Sequence, residues 1–209
     1  MPSSSQRAAE PGPRRAAVES GVLRATEAML AGGASFAELG VERIATAAGI
    51  SRTAFYFYFR DKRELLVRLT EDVAGLLYSE AERWWQGEGD GREQLRAALP
   101  RILALYAEHR AVLRAVVGVA AVDEEIASAW RALIGRFVEA TRTRIELEQA
   151  AGRVDGTLPA EPVAFALCWM TERACYEQLE RGGELGEEQF LRGLEAIWFG
   201  AVYGREPAP

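Results

Sequence analysis

The stretch VERIATAAGISRTAFYFYF, residues 41–59, decides the fold of the N-terminal part of the chain. Ile44 and Ala45 belong to a short apolar helical pattern that ends at Gly49, because glycine readily adopts the conformation that closes a helix. Ser51 is typical of an N-cap, since its hydroxyl can accept a free backbone N–H, and a second short helix is expected after it. Two short helices joined by a glycine-containing turn predict a helix-turn-helix.

Five consecutive aromatic side chains close this stretch, and no single helix face can bury all of them. At 100° per residue, the second helix directs one group of side chains toward the core and another group outward. The inward group is Phe55, Tyr58 and Phe59, and the outward group is Arg52, Thr53, Tyr56 and Phe57. A tyrosine hydroxyl can donate to a phosphate, and a phenylalanine can pack on a sugar or a thymine methyl. The outward group therefore favours a DNA-binding surface, with packing of Phe57 on a neighbouring helix as the open alternative.

The flanking residues complete a three-helix head. A first helix is predicted from Val18, Val22, Ala25, Met29 and Leu30, and Gly32 and Gly33 end it. Asp61 and Glu64 have the spacing of a capping box, so a long helix is expected to begin there. Lys62 lies in its first turn, where its ammonium and the free backbone N–H groups are expected to hold one phosphate, unless it is an ordinary surface lysine. The predicted DNA-binding residues are Ser51, Arg52, Thr53, Tyr56, Phe57 and Lys62.

Charge is divided unevenly along the 209 residues, whose net charge is −6. Residues 1–63 carry nine Lys and Arg against six Asp and Glu, a net charge of +3, and the remainder carries a net charge of −9. A basic part attached to an acidic body is typical of a DNA-binding head on a body that does not bind DNA. Chance segregation of surface charge is the alternative explanation.

Helical periodicity continues to the end of the chain, and strand-type alternation is absent. The apolar side of the fourth helix is predicted to contain Leu65, Leu66, Leu69, Val73, Leu76 and Leu77, and the loop QGEGDG at 86–91 follows it. Further helices are predicted at about 92–108, 110–119, 123–151, 160–181 and 187–204. The fold class is therefore all-α, with about nine helices. We expect a disordered tail over 1–15, a helix-turn-helix DNA-binding domain over 16–62 and a helical bundle for ligand binding and dimerisation over 63–205.

Three mixed aromatic and polar faces in the body are candidates for a ligand cavity. The first contains Leu99, Ile102 and Tyr106, the second Trp130, Ile134, Phe137 and Thr141, and the third Cys168, Thr171, Glu172, Cys175 and Tyr176. Bundles can enclose cavities between such faces, although aromatic stripes at helical spacing are more often plain core. Glu172 and Arg173 could form an ion pair or the polar part of a pocket wall, and we expect them instead to be exposed neighbours of little consequence.

The last two helices are apolar nearly all round, which exceeds what one buried face requires. Their apolar residues include Phe165, Leu167, Met170, Phe190, Leu191, Leu194, Ile197, Trp198 and Val202. A helix that is apolar on two sides has two partners. A four-helix interface in a homodimer would supply the second partner, and a central position within one protomer is the alternative.

Several classes of protein find no support in the sequence. No apolar run approaches the ~20 residues of a membrane span, and the N-terminal stretch lacks the apolar segment of a secretory signal, so a cytoplasmic protein is expected. Cys168 and Cys175 form neither a disulfide framework nor a zinc-ligand pattern. A single histidine, His109, and the lack of a nucleophile–base pair argue against an enzyme, so no cofactor or metal is expected. A helical carrier of lipid or other apolar molecules, without DNA binding, is the remaining alternative.

Residues 44–66, IATAAGISRTAFYFYFRDKRELL, resemble the DNA-binding signature of the TetR family of transcriptional regulators. Together with them, TLPAEPVAFALCWMTER (157–173) and IWFGAVYG (197–204) are similar to the ethionamide-resistance repressor branch of that family. The resemblance implies an all-α homodimer that binds a palindromic DNA operator through two heads. It also implies repression that is relieved when a small apolar effector enters the body, changes the spacing of the heads and releases the DNA.

The resemblance further implies a ligand channel lined by Trp130, Phe137, Thr171, Tyr176 and Trp198. Where the relative has two asparagines on the channel-lining helix, this chain has Cys168 and Thr171, so a thiol and a hydroxyl replace two amides. An apolar, elongated ligand is still expected. The full set of predicted ligand-binding residues is Leu99, Ile102, Tyr106, Trp130, Ile134, Phe137, Thr141, Cys168, Thr171, Tyr176 and Trp198.

Overall fold

The computed structural model describes residues 12–87, 89–180 and 185–204, and within these ranges the chain forms nine α-helices and no β-strand. The helices are α1 (Pro13–Ala31), α2 (Val41–Ala47), α3 (Arg52–Tyr58), α4 (Lys62–Trp85), α5 (Gly91–Glu108), α6 (Arg110–Ala120), α7 (Glu124–Ala150), α8 (Ala160–Glu180) and α9 (Glu187–Val202). The all-α prediction is confirmed. The chain divides into two compact units, one ending at Leu66 and the other beginning at Val67.

The first unit contains α1, α2, α3 and the first turn of α4. Glycine ends α1 and α2 as expected, because Gly33 and Gly49 have φ values of +92° and +71° that other residues rarely adopt. Phe55 and Phe59 are fully buried, with ring centroids 5.3 Å apart. Tyr58 is only half-buried and lies beneath the guanidinium of an α1 arginine.

The first residues of α1 and α4 are determined by local sequence signals, a proline in α1 and a capping pair in α4. Residues 1–11 of the predicted tail lie outside the described residues, and α1 begins at Pro13, so residues 13–15 are helical rather than part of a tail. Proline is favoured in a first helical turn, where its missing N–H is not needed. At the start of α4, the Glu64 backbone N–H donates to the Asp61 carboxylate at 2.9 Å, and Glu64 accepts from the Arg60 backbone N–H at 2.7 Å. The predicted capping pair therefore forms.

The second unit is a helical bundle in which α7 packs on α6 and α8, and α5 packs on α9. Its core includes Trp84, Trp85, Ile145, Leu167 and Trp198. Most of the predicted apolar side of α4 is buried, namely Leu65, Leu66, Leu69, Val73 and Leu77. The assignment of Leu76 to that side is wrong, because its side chain is 46% exposed and the neighbouring Leu77 takes the inward position.

A buried ionic cluster fixes one end of this bundle. Glu148 is fully buried, and its two carboxylate oxygens lie 2.5 Å from Arg144 Nη2 and 2.6 Å from Arg153 Nε. Arg144 also donates to the Gly87 carbonyl at 2.9 Å. Because the buried carboxylate is paired with two guanidinium groups, the cluster ties α7 to the loop before α5 without leaving an uncompensated negative charge.

Candidate DNA-binding surface and ligand cavity

The outward face of α3 presents two large aromatic side chains to solvent. Tyr56 is 47% exposed and Phe57 is 73% exposed, and Arg52 and Thr53 on the same face are also exposed. The helix is positioned from inside by the buried Phe55 and from its start by the N-cap. Exposed aromatics of this size have no core to fill, so they are available to a partner.

Ser51 starts α3 as an N-cap. Its hydroxyl oxygen accepts from the Ala54 backbone N–H at 3.0 Å, and its side chain is exposed. The hydroxyl proton is not used by this bond, so Ser51 can cap the helix and still donate to an outside acceptor. Arg43 is also exposed, on α2, the helix that precedes the turn. Sequence reasoning missed Arg43, although a single basic residue outward on the first helix of a helix-turn-helix is a recognisable signal for a backbone contact.

The Lys62 ammonium makes its contacts within the first unit. Its Nζ donates to the carbonyl oxygens of Phe36, Ala37 and Leu39 at 2.8, 2.9 and 3.1 Å, and it lies 5.0 Å from the centroid of the Phe36 ring. An ammonium has three N–H donors, and all three are used here. The expectation that this ammonium holds a phosphate stays a prediction, and these contacts argue against it, because they close the segment between α1 and α2.

A cavity lies in the second unit between α4, α5, α6, α7, α8 and α9. Ten of the eleven predicted ligand-binding residues line it: Leu99, Ile102, Tyr106, Trp130, Ile134, Phe137, Thr141, Cys168, Thr171 and Trp198. The space between these side chains, part of which is open to solvent, amounts to about 790 Å³, and the centre of a water molecule can reach about 70 Å³ of it. The cavity is therefore narrow, and it suits a slender group better than a bulky one.

The polar groups of the cavity wall are largely paired with one another. Trp198 Nε1 donates to the Thr171 hydroxyl at 2.9 Å, and Trp85 Nε1 donates to the Thr141 hydroxyl at 3.2 Å. Cys168 Sγ lies 3.6 Å from the same Thr141 oxygen. These pairings satisfy the indole N–H groups of Trp198 and Trp85 inside the wall, so the cavity offers a mainly apolar surface.

Neither cysteine is a reactive thiol at neutral pH. Burial raises the pKa of Cys168 to about 11 and that of Cys175 to about 12. Since only the thiolate is a good nucleophile or metal ligand, both side chains act as small, weakly polar groups.

Tyr176 does not line this cavity. It lies instead beside a smaller compartment that Tyr106 shares with the cavity, and Glu172 lines the same compartment. The expectation that Glu172 is exposed is wrong, because its side chain is only 6% exposed, whereas Arg173 points outward and pairs with Glu177. On a helix that is apolar nearly all round, an acidic residue can face inward even though its neighbour in sequence is solvated.

Sequence reasoning missed a large part of the cavity wall. The additional lining residues are Thr70, Ala74, Leu77, Ala81, Trp84, Trp85, Leu95, Ala98, Leu113 and Leu133. Those on α4, apart from Trp85, recur at intervals of three and four residues, which was a usable signal. The sequence does not indicate a cavity at small residues such as Ala74 and Ala98, because only the packed structure shows whether the space beside an alanine is filled.

The described ranges contain neither a membrane-spanning helix nor a metal-binding cluster. No helix there is long and apolar enough to cross a bilayer. No group of three or more His, Cys, Asp or Glu side chains there is arranged to hold a metal ion.

Both units match known protein families. Residues 22–69 match the model of the TetR family of bacterial regulatory proteins, and residues 95–204 match that of the C-terminal domain of the transcriptional regulator EthR. The chain is 30% identical over 214 residues to the HTH-type transcriptional regulator EthR of Mycobacterium tuberculosis, with 97% of each chain covered. It is 29% identical over 175 residues to EthR of Mycolicibacterium smegmatis, covering 82% of this chain and 80% of the relative.

Solved structures share the fold at low sequence identity. A TetR-family regulator from Syntrophomonas wolfei superposes with a TM-score of 0.76 at 18% identity, covering 90% of this chain and 96% of that one. FadR of Bacillus subtilis, solved in complex with stearoyl-CoA, has a TM-score of 0.70 at 13% identity, covering 90% and 99%. The curated relatives are transcriptional regulators, which favours a DNA-binding protein over a helical carrier. The chain belongs to the TetR family of bacterial transcriptional regulators, with a C-terminal domain of the EthR type.

Proposed function

We propose that this regulator is a homodimeric repressor that binds a palindromic operator and releases it when a slender apolar ligand occupies the cavity. The observation that carries the DNA-binding part is the exposure of Tyr56 and Phe57 on the outward face of α3. A second helix of a helix-turn-helix lies in the major groove and reads base edges with its outward residues. Such a regulator acts in the cytoplasm, where the bacterial chromosome lies.

In the proposed complex, the residues of α3 divide into two roles. Thr53 and Phe57 contact base edges and thymine methyls, while Ser51, Arg52 and Tyr56 contact the sugar–phosphate backbone. Base contacts change the preference between operators, and phosphate contacts change the affinity for all sequences alike. Arg43 joins the second group from α2.

The DNA-binding test compares Phe57→Ser with Leu147→Ser. Leu147 is also an exposed apolar residue, at 54%, but it lies on α7 in the second unit. Fluorescence anisotropy would measure binding to a duplex from upstream of the protein's own gene and to a scrambled duplex. We expect Phe57→Ser to lose about tenfold or more of the affinity for the first duplex, since a base contact contributes about 1–3 kcal/mol, and Leu147→Ser to behave as wild type. Equal affinities for the three proteins would refute the assignment of α3.

The homodimer is proposed from exposed apolar side chains on the last two helices. Phe165 on α8 is 57% exposed and Ile197 on α9 is 49% exposed, and these two helices pack against each other. A second copy would cover both side chains and form a four-helix interface. Ile197→Glu should give a monomer in sedimentation, whereas Val122→Glu, a change at an 89% exposed residue elsewhere, should leave the dimer intact. A dimer in both variants would rule out this interface.

The ligand-binding part of the proposal rests on the narrow apolar cavity. The structural relative solved with stearoyl-CoA shows that this fold can bind a long-chain acyl ligand, and the same class of apolar ligand is proposed here. Ala98→Leu adds three carbon atoms to the cavity wall, and Ala104→Leu makes the same change on the solvent side of α5. With 1-decanol as the probe, we expect DNA release from wild type and Ala104→Leu, and no release from Ala98→Leu. Release from all three would refute the cavity as the ligand site.

A further inference from the structure

A groove between α4, α6 and α7 adjoins the cavity in the second unit. Residues of α4 and α6 line the groove together with six residues of α7 between Ile126 and Arg136. The centre of a water molecule can reach about 190 Å³ of the groove, against about 70 Å³ of the cavity. The groove is therefore the roomier of the two spaces.

The lining of the groove changes from exposed to buried side chains. Its two charged residues, Glu71 and Arg136, are exposed, so they mark the end of the groove that meets solvent. Thr70, Trp130 and Leu133 are buried, and these three residues line the cavity as well. The same three side chains therefore stand between the groove and the cavity.

The wall of the cavity is formed by side chains that are mostly buried. Among the described residues that line it, none is exposed, and only Ile102, Phe137 and Cys168 are partly accessible. The smaller compartment beside Tyr176 also touches the cavity, but the centre of a water molecule reaches only about 10 Å³ of it. An alkyl chain that enters the cavity therefore needs a wall side chain to move aside.

Trp130 is the largest side chain between the groove and the cavity, and its indole is held differently from those of the other tryptophans in the cavity wall. The Trp84 indole donates to the Tyr203 hydroxyl at 2.9 Å. The indoles of Trp85 and Trp198 donate to threonine hydroxyls at 3.2 and 2.9 Å. Within the described ranges no hydrogen bond of this kind fixes Trp130. Trp130 can therefore change its rotamer without the cost of breaking a hydrogen bond.

We propose that the groove is the entry site of the ligand and that Trp130 is the gate between the groove and the cavity. The inference rests on the proposed function, because the molecule that enters is the slender apolar ligand of the cavity. Val67, Val116 and Ile126 give the groove an apolar lining, on which an alkyl chain can bind before the gate opens. Opening of such gates sets the rate of binding in many proteins.

The test measures how fast 1-decanol binds to and leaves the full-length protein, by stopped-flow tryptophan fluorescence. Ala129→Phe and Ala132→Phe each place a ring in the groove and leave the cavity wall unchanged. We expect each substitution to slow association and dissociation alike, by about tenfold, because a blocked route raises the same barrier in both directions. The dissociation constant should then stay within about twofold of the wild-type value. Trp130→Leu removes most of the gate and should accelerate both rates.

The control is Ser128→Phe, which adds the same ring to an exposed position of α7 outside both spaces and should keep the wild-type rates. Thermal melting identifies a variant that fails to fold, and the other blocking variant then decides the outcome. Wild-type rates in the folded blocking variants would overturn the entry site and leave the cavity standing. A change in only one of the two rates would mean that the groove holds part of the bound ligand, which contradicts an entry role. Rates that do not rise in Trp130→Leu would exclude Trp130 as the gate. Failure of decanol to bind wild type would overturn the cavity together with its entry site.

Discussion

Lys62→Met separates two roles for a lysine that stands beside a DNA-binding helix. Methionine keeps the length and apolar character of the side chain but removes the ammonium and its three donors. If Lys62 closes the segment between α1 and α2, the substitution acts on the stability of the head. If Lys62 binds a phosphate, the substitution acts on DNA affinity and on its dependence on salt.

The expected loss of stability follows from the three contacts. Nζ donates at 2.8, 2.9 and 3.1 Å to the carbonyls of Phe36, Ala37 and Leu39. A hydrogen bond to a charged group contributes about 1.5–3 kcal/mol where it is shielded. These carbonyls are partly accessible, and burial lowers the pKa of Lys62, so we expect about 2 kcal/mol for the set. That corresponds to roughly 4–8 °C in melting temperature for a chain of this size.

The assay measures both properties in the same preparations. Thermal melting followed by circular dichroism gives the stability, and DNA anisotropy between 50 and 200 mM salt, roughly the range over which phosphate contacts weaken, gives the salt slope. We expect Lys62→Met to melt earlier while its salt slope stays at the wild-type value. An unchanged melting temperature together with a slope reduced by about one would refute the closing role and restore the phosphate contact.

Three further predictions concern the second unit. Gly91→Ala should lower the denaturation midpoint measurably, because an added Cβ would collide with the Tyr203 hydroxyl and the carboxylate of Glu148. An unchanged midpoint would mean that these two side chains can move aside. Glu148→Gln should cost about 3–5 kcal/mol in chemical denaturation, because it leaves the buried Arg144 uncompensated, and a cost below 1 kcal/mol would contradict this. Burial raises the pKa of Glu172 above its ordinary value of 4.5, so its favourable contribution is present below that pH and is lost as pH rises through the folded-state pKa. Glu172→Gln should therefore gain stability over wild type between pH 4 and pH 7 in parallel urea titrations, and a constant difference would refute the burial effect.

Local rules were enough to predict most of the head from sequence. Gly33, Gly49 and Ser51 act where helices begin and end, and those effects depend on a few neighbouring residues. The division of the aromatic run into buried and exposed members also follows from helix geometry alone. The contacts of Lys62 could not be predicted, for a physical reason. Its partners are carbonyls 23 to 26 residues earlier, and no local pattern marks a backbone acceptor at that distance.

The cavity was predictable in kind but not in its details. Helical spacing placed Trp130, Phe137 and Thr141 on one face, and the cavity does lie there. The same reasoning left Glu172 outside, because a charged residue beside an arginine is usually solvated. Whether it faces water or the bundle depends on the rotation of α8 against α5 and α6, which is set by packing across the whole unit. Contacts among distant helices therefore decide whether a polar residue faces water or the bundle. The orientation of the periodic apolar residues follows from local helix geometry.

The pairing of polar groups in the cavity wall determines where selectivity for a ligand can arise. The hydroxyl oxygens of Thr171 and Thr141 already accept hydrogen bonds from the indoles of Trp198 and Trp85. A ligand that donates a hydrogen bond to either hydroxyl must therefore compete with a tryptophan. Contact with the wall then contributes affinity in proportion to apolar area and discriminates weakly between molecules of similar shape. In the proposed function, the narrow cavity therefore selects its ligand mainly by length and width.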